Sequence, residues 1–386
     1  MIGALVVPFG LGALTVLGFA PHRLWWLPLI TLGWLFAQAL RAPSAKTAAQ
    51  QGFAFGLGLF GVGVSWVYIA LNTFGQMPAI LAGVATLLFC GYLALFPMFA
   101  LLLARWSAAG TGAYAPFVAA AFFVAFEWLR SHLFTGFPWL TMDHAHAADS
   151  PLMGFIPIAG GLGTSFIACL IAALIAWAWP RAIMPEIKRF CAAGILIATL
   201  LVGGHSAREI EWTRPTKAAP VTVSLVQGNI AQELKFREDA LRTNAEVFDA
   251  LFAQAKGALV IMPETVYVTP LRASVDDPIV SKWSAAARNG GRSIIFGAPE
   301  IEANKTYFNS AFVFDGTTVQ TYRKHHLVPF GEYMPLKTWL GWFYDNVAIP
   351  LAGFSAGASA PAPIKLGTQQ LGVSICYEDV FPAQHA

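Results

Sequence analysis

Three ionisable residues, Glu264, Lys324 and Cys376, lie at the ends of strand-like segments in the second half of the sequence. A cysteine thiol becomes an effective nucleophile when a base accepts its proton and a cation stabilises the thiolate. A glutamate and a lysine could fill these roles, and the lysine could also donate to a tetrahedral oxyanion. Cys376 by itself is more simply interpreted as a buried structural thiol. The three residues together predict nucleophilic catalysis.

Each of these residues lies in a longer motif. The first motif is M-P-E at 262–264, the second is Y-R-K-H-H-L-V-P-F-G-E-Y-M-P at 322–335, and the third is I-C-Y-E-D at 375–379. The three motifs resemble the catalytic segments of the nitrilase, or carbon–nitrogen hydrolase, superfamily. The sequences of the motifs are most similar to those of the membrane branch of this superfamily, the apolipoprotein N-acyltransferase family.

The resemblance implies a role for each of the three residues. Glu264 would be the general base, Lys324 the oxyanion stabiliser and Cys376 the nucleophile that is acylated. The resemblance also implies a fold, an α/β nitrilase-like αββα sandwich behind a membrane domain. Four further residues match supporting positions of the family: Asn309, Glu332, Tyr377 and Glu378.

Two features depart from the family pattern. The family usually has tryptophan after the lysine of an L-K-W segment, and this chain has Phe236, which keeps an aromatic ring but lacks the indole N–H. The chain also ends ten residues after Cys376, whereas a nitrilase-like sandwich continues further. We therefore expect the α/β domain to be C-terminally incomplete, and an inactive fragment is one alternative interpretation.

The composition divides the chain into an apolar half and a charged half. Hydrophobic residues make up 56% of the 386 residues and charged residues 12%, which is more apolar than a soluble domain. Lys and Arg number 24 and Asp and Glu 21, and only 12 of these precede Ala207. We predict a polytopic α-helical membrane domain at 1–205, a link at 206–219 and the catalytic domain at 220–386. The net charge of +3 is too small to suggest a nucleic-acid partner.

Seven apolar runs are candidate membrane spans, since about 20 apolar residues cross the hydrocarbon core. The runs are 2–19, 24–40, 52–71, 79–104, 113–128, 155–179 and 190–204. Six Lys and Arg residues of the short loops fall on one side of these spans, and two, Arg23 and Arg130, fall on the other. The positive-inside rule then predicts a cytoplasmic N-terminus and a second half on the periplasmic side of a bacterial inner membrane.

The loop after the fifth span carries several polar side chains. Glu127 and Arg130 are spaced to meet on one helix face beside the bilayer, where ionisable residues are usually paired or functional. The T-G-F-P-W-L sequence that follows again resembles the membrane domain of the family. Asp143, His144 and His146 lack the fourth ligand and ordered spacing of a metal site. No phosphate-binding glycine motif is present, so we predict neither a metal nor another cofactor.

Alternating strands and helices predict a layered α/β arrangement for the second half. The expected strands are 221–227, 258–263, 292–297, 308–314, 317–322, 363–366 and 371–375, and the expected helices are 236–256 and 277–288. The last four strands form two expected hairpins.

An unusually apolar loop follows the lysine motif. Its large side chains include Trp339, Trp342, Phe343, Tyr344 and Phe354. One interpretation is a buried helix packed on the sheet. We favour a lipid-facing lid at the membrane surface, because Trp and Tyr prefer that interface.

The resemblance and the membrane half together predict a phospholipid:apolipoprotein N-acyltransferase. An acyl chain would pass from a phospholipid to Cys376 and then to the N-terminal amine of a diacylglyceryl-cysteine apolipoprotein. A membrane-tethered amidase or nitrilase would use the same three residues with water as the acceptor, so the triad alone does not separate the two. A transporter or scaffold is the remaining alternative, and it would need more charges within the spans.

Overall fold

A computed structural model describes residues 3–107, 112–178, 187–214, 219–237, 239–272, 278–316, 318–329, 331–333, 353–367 and 369–381 of the chain. The chain divides into two compact units, Met1–Pro215 and Thr216–Ala386. The first unit is helical and the second combines a β-sheet with helices.

The first unit has a helix in each of the seven apolar runs. In chain order the helices are α1 (Gly3–Thr15), α2 (Trp26–Arg41), α3 (Ala45–Gly63), the short α4 (Trp66–Ile69), α5 (Ala79–Ser107), α6 (Ala115–Arg130), α7 (Ile156–Ala178) and α8 (Ile187–Ala207). Short 3-10 segments precede α6 and α7, and a π-helical turn, Ala70–Phe74, follows α4.

Several of these helices can cross a membrane. Within the described ranges, four segments are long and apolar enough, and a fifth qualifies if α3 and the helix after it, bent by 50°, form one span. The four segments are Ala79–Ser107, Gly112–Arg130, Pro151–Ala178 and Ile187–Ala207. The protein is therefore a membrane protein, while the number of seven spans stays a prediction.

Glycines let α3 pack closely between two neighbouring helices. A side chain at Gly12 of α1 would collide with the carbonyl of Phe55 on α3, and one at Gly58 of α3 would collide with the carbonyl of Phe9 on α1. On another face of α3, Gly52 lies against the backbone of Pro97 on α5. Close backbone approach through small residues is the usual mode of helix packing in membranes, where no hydrophobic effect drives helices together.

The second unit is built on a mixed five-stranded sheet in the order β1-β2-β3-β4-β5. The strands are β1 (Val223–Leu225), β2 (Leu259–Ile261), β3 (Ser293–Ile301), β4 (Tyr307–Phe314) and β5 (Val319–Arg323). The pairs β1-β2 and β2-β3 are parallel, and the pairs β3-β4 and β4-β5 are antiparallel. Strands β6 (Ile364–Leu366) and β7 (Gln369–Leu371) form a separate antiparallel hairpin.

Both faces of the large sheet are covered. Helices α9 (Gln232–Lys235), α10 (Leu241–Gln254) and α11 (Pro278–Asn289) complete the unit. On one face, Phe252 of α10 and Trp283 of α11 form a buried cluster with Phe296 of the sheet. On the other face, Ile295 packs in a second cluster with Ile364 of β6. This is the layered α/β arrangement predicted from the alternation of strands and helices.

Two predicted elements differ from the structure. The helix expected over 236–256 is shorter than predicted, because Phe236 is the C-terminal cap of α9, with φ −109° and ψ 6°, and α10 spans only Leu241–Gln254. The strand expected to run to Ile375 ends at Leu371, which pairs with Ile364, the first residue of its antiparallel partner β6. The N–H of Ile375 instead donates to the carboxylate of Glu378 at 2.8 Å, so this stretch is held by a side chain rather than by a strand.

Candidate active site

Glu264 follows β2 at the edge where the parallel strands end. Thr265, the next residue, has φ +51°, so the chain turns sharply after the glutamate. A Cβ on Gly297 of the neighbouring strand would lie 2.7 Å from Glu264 Cα. Glycine is therefore required at this position of β3 for the turn to pack against the sheet. The Glu264 side chain is 30% exposed, so its carboxylate reaches the surface of the site.

Lys324 follows β5 and is almost completely buried, with 1% of its side chain exposed. Its Nζ lies 2.9 Å from Glu332 Oε2 and 3.6 Å from Glu264 Oε1. Burial lowers the pKa of this lysine, but the charges of Glu332 and Glu264 outweigh burial and hold its pKa above the ordinary value. The lysine is therefore an ammonium ion at neutral pH, paired with two carboxylates as buried charges require.

Asn309 joins the two carboxylates. Its Nδ2 donates to Glu264 Oε1 at 2.7 Å and to Glu332 Oε1 at 2.6 Å. Glu332 also accepts from the N–H of Val328 at 2.8 Å. The backbone of Asn309 accepts from the N–H of Lys324 at 2.8 Å. One amide and one ammonium thus hold both glutamate carboxylates in place.

Cys376 begins a short 3-10 helix, Cys376–Val380, and has φ +54°. A non-glycine residue in this left-handed region is uncommon and marks a constrained backbone, often at a functional site. Glu264 lies close enough to the thiol to act on it electrostatically. Burial and the charge of Glu264 raise the pKa of the Cys376 thiol, whereas Lys324 lowers it. The resting residue is therefore a thiol beside a carboxylate that can accept its proton.

Glu378 lies in the short 3-10 helix that begins at Cys376, and its side chain is fully buried. Its carboxylate accepts from the hydroxyl of Tyr322 at 2.9 Å and from the backbone N–H groups of His325 at 2.8 Å, His326 at 3.1 Å and Ile375 at 2.8 Å. Burial and this carboxylate raise the pKa of Tyr322 well above its ordinary value, which keeps the phenol a donor. Glu378 therefore ties the segment after Lys324 to the segment before Cys376.

The remaining predicted residues lie around this cluster. Tyr377 packs edge-to-face on Phe381, at a ring separation of 5.1 Å. Phe354 forms an isolated parallel β-bridge with Tyr307, and the N–H of Phe354 donates to the carbonyl of Glu332 at 3.0 Å. The other aromatic residues of the predicted lipid-facing loop, Trp339, Trp342, Phe343 and Tyr344, lie outside the described residues.

Lys235 is a residue of the site that the sequence analysis did not single out. Its Nζ donates to the backbone carbonyl of Glu264 at 3.1 Å and lies 5.9 Å from the ring centre of Phe236. Burial lowers the pKa of Lys235, while the nearby Glu264 and Cys376 oppose that shift. The sequence does contain an indication of this role, since Lys235 is the lysine of the family's L-K-W segment and immediately precedes Phe236.

A cavity of about 470 Å³ adjoins Glu264 within the second unit. Polar side chains on its walls include Gln227, Asn229 and Lys235, and Phe248 and Tyr267 supply aromatic surface. Small-molecule sites usually have volumes of roughly 300–1,000 Å³ with a few polar groups in an apolar wall. The cavity is therefore large enough to hold part of a substrate beside Glu264.

The polar residues at the end of α6 and in the loop after it form hydrogen bonds with one another and with the loop backbone. Arg130 donates to the carbonyls of Phe137 at 2.5 Å and Trp139 at 2.7 Å. Glu127 accepts from the N–H of Met142 at 3.1 Å, and His146 pairs with a serine hydroxyl. In the part of the chain that the structure describes, no group of three His, Cys, Asp or Glu residues could hold a metal ion.

A carboxylate, a buried ammonium and a thiol at the edge of a mixed α/β sheet define the class of the second unit, and comparison with known families agrees. Residues 222–385 match the model of the carbon–nitrogen hydrolase family, and residues 11–174 match that of the apolipoprotein N-acyltransferase N-terminal domain. The chain belongs to the apolipoprotein N-acyltransferase family. The two matches correspond to the membrane domain and nitrilase-like domain that the motifs implied.

Individual relatives extend over almost the whole chain. The chain is 39% identical over 383 residues to the apolipoprotein N-acyltransferase of Nitrosomonas europaea, a match that covers 98% of this chain and 74% of the relative. It is 36% identical over 378 residues to the enzyme of the same name from Ralstonia nicotianae, covering 96% of this chain and 70% of that relative. A third relative, from Pasteurella multocida, is 31% identical over 386 residues.

Proposed function

We propose that the protein transfers an acyl chain from a phospholipid to the N-terminal amine of a diacylglyceryl-cysteine apolipoprotein, through a thioester on Cys376. The observation that carries this proposal is the arrangement around Glu264, whose carboxylate pairs with the ammonium of Lys324 at 3.6 Å and lies near enough to Cys376 to raise the pKa of its thiol. Membership of the family supports the choice of acyl transfer over hydrolysis by an amidase.

In the first half-reaction Glu264 accepts the proton of the Cys376 thiol as the sulfur attacks the ester carbonyl of the phospholipid. The C=O electron pair moves to oxygen, and the ammonium of Lys324 stabilises the resulting oxyanion. The intermediate collapses with cleavage of the ester C–O bond. Protonated Glu264 returns its proton to the departing alkoxide, so that a lysophospholipid and a thioester result.

In the second half-reaction the free amine of the apolipoprotein attacks the thioester carbonyl. Glu264 accepts a proton from the attacking nitrogen, and Lys324 again stabilises the oxyanion. Cleavage of the C–S bond releases the sulfur, which takes the proton from Glu264 and regenerates the thiol. The amide product is more stable than the thioester, which makes the second step effectively one-way.

The proposal includes a place for the protein in the cell. The distribution of Lys and Arg among the short loops supports an inner-membrane protein whose second unit lies on the periplasmic side. Attachment to a membrane domain would raise the effective concentration of two lipid substrates near the thiol.

A transfer assay tests this proposal against the amidase alternative. Membranes containing the protein are supplied with acyl-labelled phospholipid and a diacylglyceryl-cysteine peptide. The N-terminal amine of the peptide is free in one sample and blocked in the other. An acyltransferase produces N-acyl peptide only from the free amine, and Cys376→Ser should reduce the rate by roughly a thousandfold or more. Cys191→Ser, at an exposed cysteine of α8, is the matched control and should retain activity. Release of free fatty acid with no N-acyl peptide would contradict the proposal.

A further inference from the structure

An apolar groove of about 970 Å³ lies between α1, α3 and α5 in the first unit. Helix α3 forms its floor, where Ala49 and Ala54 contribute small side chains. Helices α1 and α5 form its two walls, with Phe9 on one and Leu102 on the other. Because both wall helices pack on α3, the glycine contacts that bring them there also create the recess.

The groove opens to the outside of the helix bundle. Of the residues that line it, Val6 is 61% exposed, Phe9 48% and Trp106 72%. Helix α5 can cross a membrane, and α1 is a shorter apolar helix. We expect their exposed apolar side chains to face hydrocarbon, since the same surface in water would be strongly unfavourable. Water would not occupy a recess lined in this way, because it needs polar partners.

The length of the groove corresponds to one leaflet. Along α3 the lining runs from Ala45 to Leu57, which is about 18 Å at 1.5 Å per residue. The hydrocarbon core of a bilayer is about 30 Å thick. The groove therefore extends from one membrane interface to roughly the midplane, the depth that one acyl chain of one leaflet occupies.

The polar residues of the groove lie at one end of it. Lys46 and Gln50 are one turn apart near the start of α3, and Trp106 lies near the end of α5. Tryptophan prefers the level of lipid head groups, and a lysine at that level attracts anionic lipids. The ammonium of Lys46 and the amide of Gln50 at one end of an apolar groove complement a phosphate that is attached to acyl chains. A transmembrane helix of a partner protein carries no such phosphate.

We propose that this groove binds a phospholipid with a net negative head group, whose acyl chain lies on the α3 floor and whose phosphate contacts Lys46. The distribution of Lys and Arg predicts the cytoplasmic side for Lys46, so the lipid comes from the cytoplasmic leaflet. The site is separate from the residues of the proposed acyl transfer and does not depend on that function.

Native mass spectrometry of the full-length protein tests this site, using Cys376→Ser throughout so that no lipid is consumed. The probes are phosphatidylglycerol and a diacylglycerol with the same acyl chains. We expect the protein to bind one phosphatidylglycerol tightly. Lys46→Glu should weaken the affinity for this lipid about fivefold or more, and Ala49→Trp should abolish binding because the indole ring fills the floor of the groove. Diacylglycerol should bind about fivefold more weakly than phosphatidylglycerol.

Two matched variants control for general effects. Lys188→Glu makes the same charge change at an exposed residue on the same predicted side, and Leu87→Trp adds the same ring at a residue of α5 that is 66% exposed. Both should leave the affinity unchanged. Equal weakening by Lys46→Glu and Lys188→Glu, or retention of the lipid in Ala49→Trp, would overturn the proposal.

Photocrosslinking of the unaltered groove keeps the test decisive if Ala49→Trp does not fold. A phosphatidylglycerol with a photoreactive acyl chain should label peptides that contain Phe53, Leu57 or Leu102. Labelling spread evenly over the exposed faces of α5 and α8, or crosslinking to a second protein in place of lipid, would refute a defined lipid site.

Discussion

At Cys376 neighbouring charges act in opposite directions on the thiol. Burial and Glu264 raise its pKa, and Lys324 lowers it. A thiol that stays protonated until substrate arrives is protected from oxidation and alkylation, because the thiolate is the reactive form. The proposed reaction then depends on Glu264 as the base, and the hydrogen bond from Asn309 holds this carboxylate in place.

Substitutions of the two charged neighbours should move the pH profile of Cys376 alkylation in opposite directions. Glu264→Gln removes the negative charge that raises the thiol pKa, so alkylation should begin at lower pH. Lys324→Met removes the cation that lowers it, so alkylation should begin at higher pH. The measurement is the iodoacetamide rate at Cys376 against pH by peptide mass spectrometry. Lys282→Met, at an exposed lysine of α11, should leave the profile in place, and two shifts of the same sign would contradict the charge assignment.

Lys235 should act by positioning Glu264 through its backbone carbonyl. Lys235→Met removes this hydrogen bond, and a misplaced base typically costs between tenfold and a hundredfold in rate. The loss should appear in kcat more than in KM, with partial rescue by Lys235→Arg. Lys256→Met, at an exposed lysine just after α10, serves as the control. A change confined to KM would indicate a substrate contact instead of a positioning role.

At the scale of elements, Glu378 connects two segments that are more than 40 residues apart and carry Lys324 and Cys376. Glu378→Gln replaces one acceptor oxygen by a donor among four donor groups, leaving buried groups unsatisfied. We expect a loss of roughly 2–4 kcal/mol in the free energy of unfolding. Thermal unfolding in detergent should report this as a lowered midpoint.

The neighbouring residue supplies a matched control for Glu378. Asp379 is exposed, and Asp379→Asn makes the same chemical change one position away. It should alter the free energy of unfolding by no more than about 0.5 kcal/mol. Similar destabilisation by both substitutions would show that local negative charge, and not the hydrogen bonds to the buried Glu378 carboxylate, stabilises the 3-10 helix that begins at Cys376.

The sequence predicts the strand ends of the second unit better than it predicts what joins them. Strand-like segments that end in an ionisable residue locate β2 and β5, and with them the positions of Glu264 and Lys324. The bridging contact of Asn309 depends on how β4 pairs with β5, and no local pattern encodes it. The segment before Cys376 alternates like a strand, yet Glu378 takes the place of a strand partner. Long-range side-chain contacts of this kind override local periodicity.

At the scale of the whole molecule, the account requires the second unit to lie on the periplasmic side. Single cysteines can be placed at Ser44, before α3, and at Glu211, after α8, in a variant without the four native cysteines. A membrane-impermeant maleimide should label the Glu211→Cys variant in spheroplasts and label the Ser44→Cys variant only after lysis. The reverse pattern would contradict the predicted orientation.

The central claim is that Cys376 carries the acyl chain between two lipid substrates. The most direct measurement is the intact mass of the protein after incubation with a phospholipid and no acceptor. We predict a gain of one fatty acyl group, located on Cys376, released by neutral hydroxylamine, absent in Cys376→Ser and present in Cys191→Ser. An unmodified protein, or an acyl group that persists in Cys376→Ser, would contradict the account.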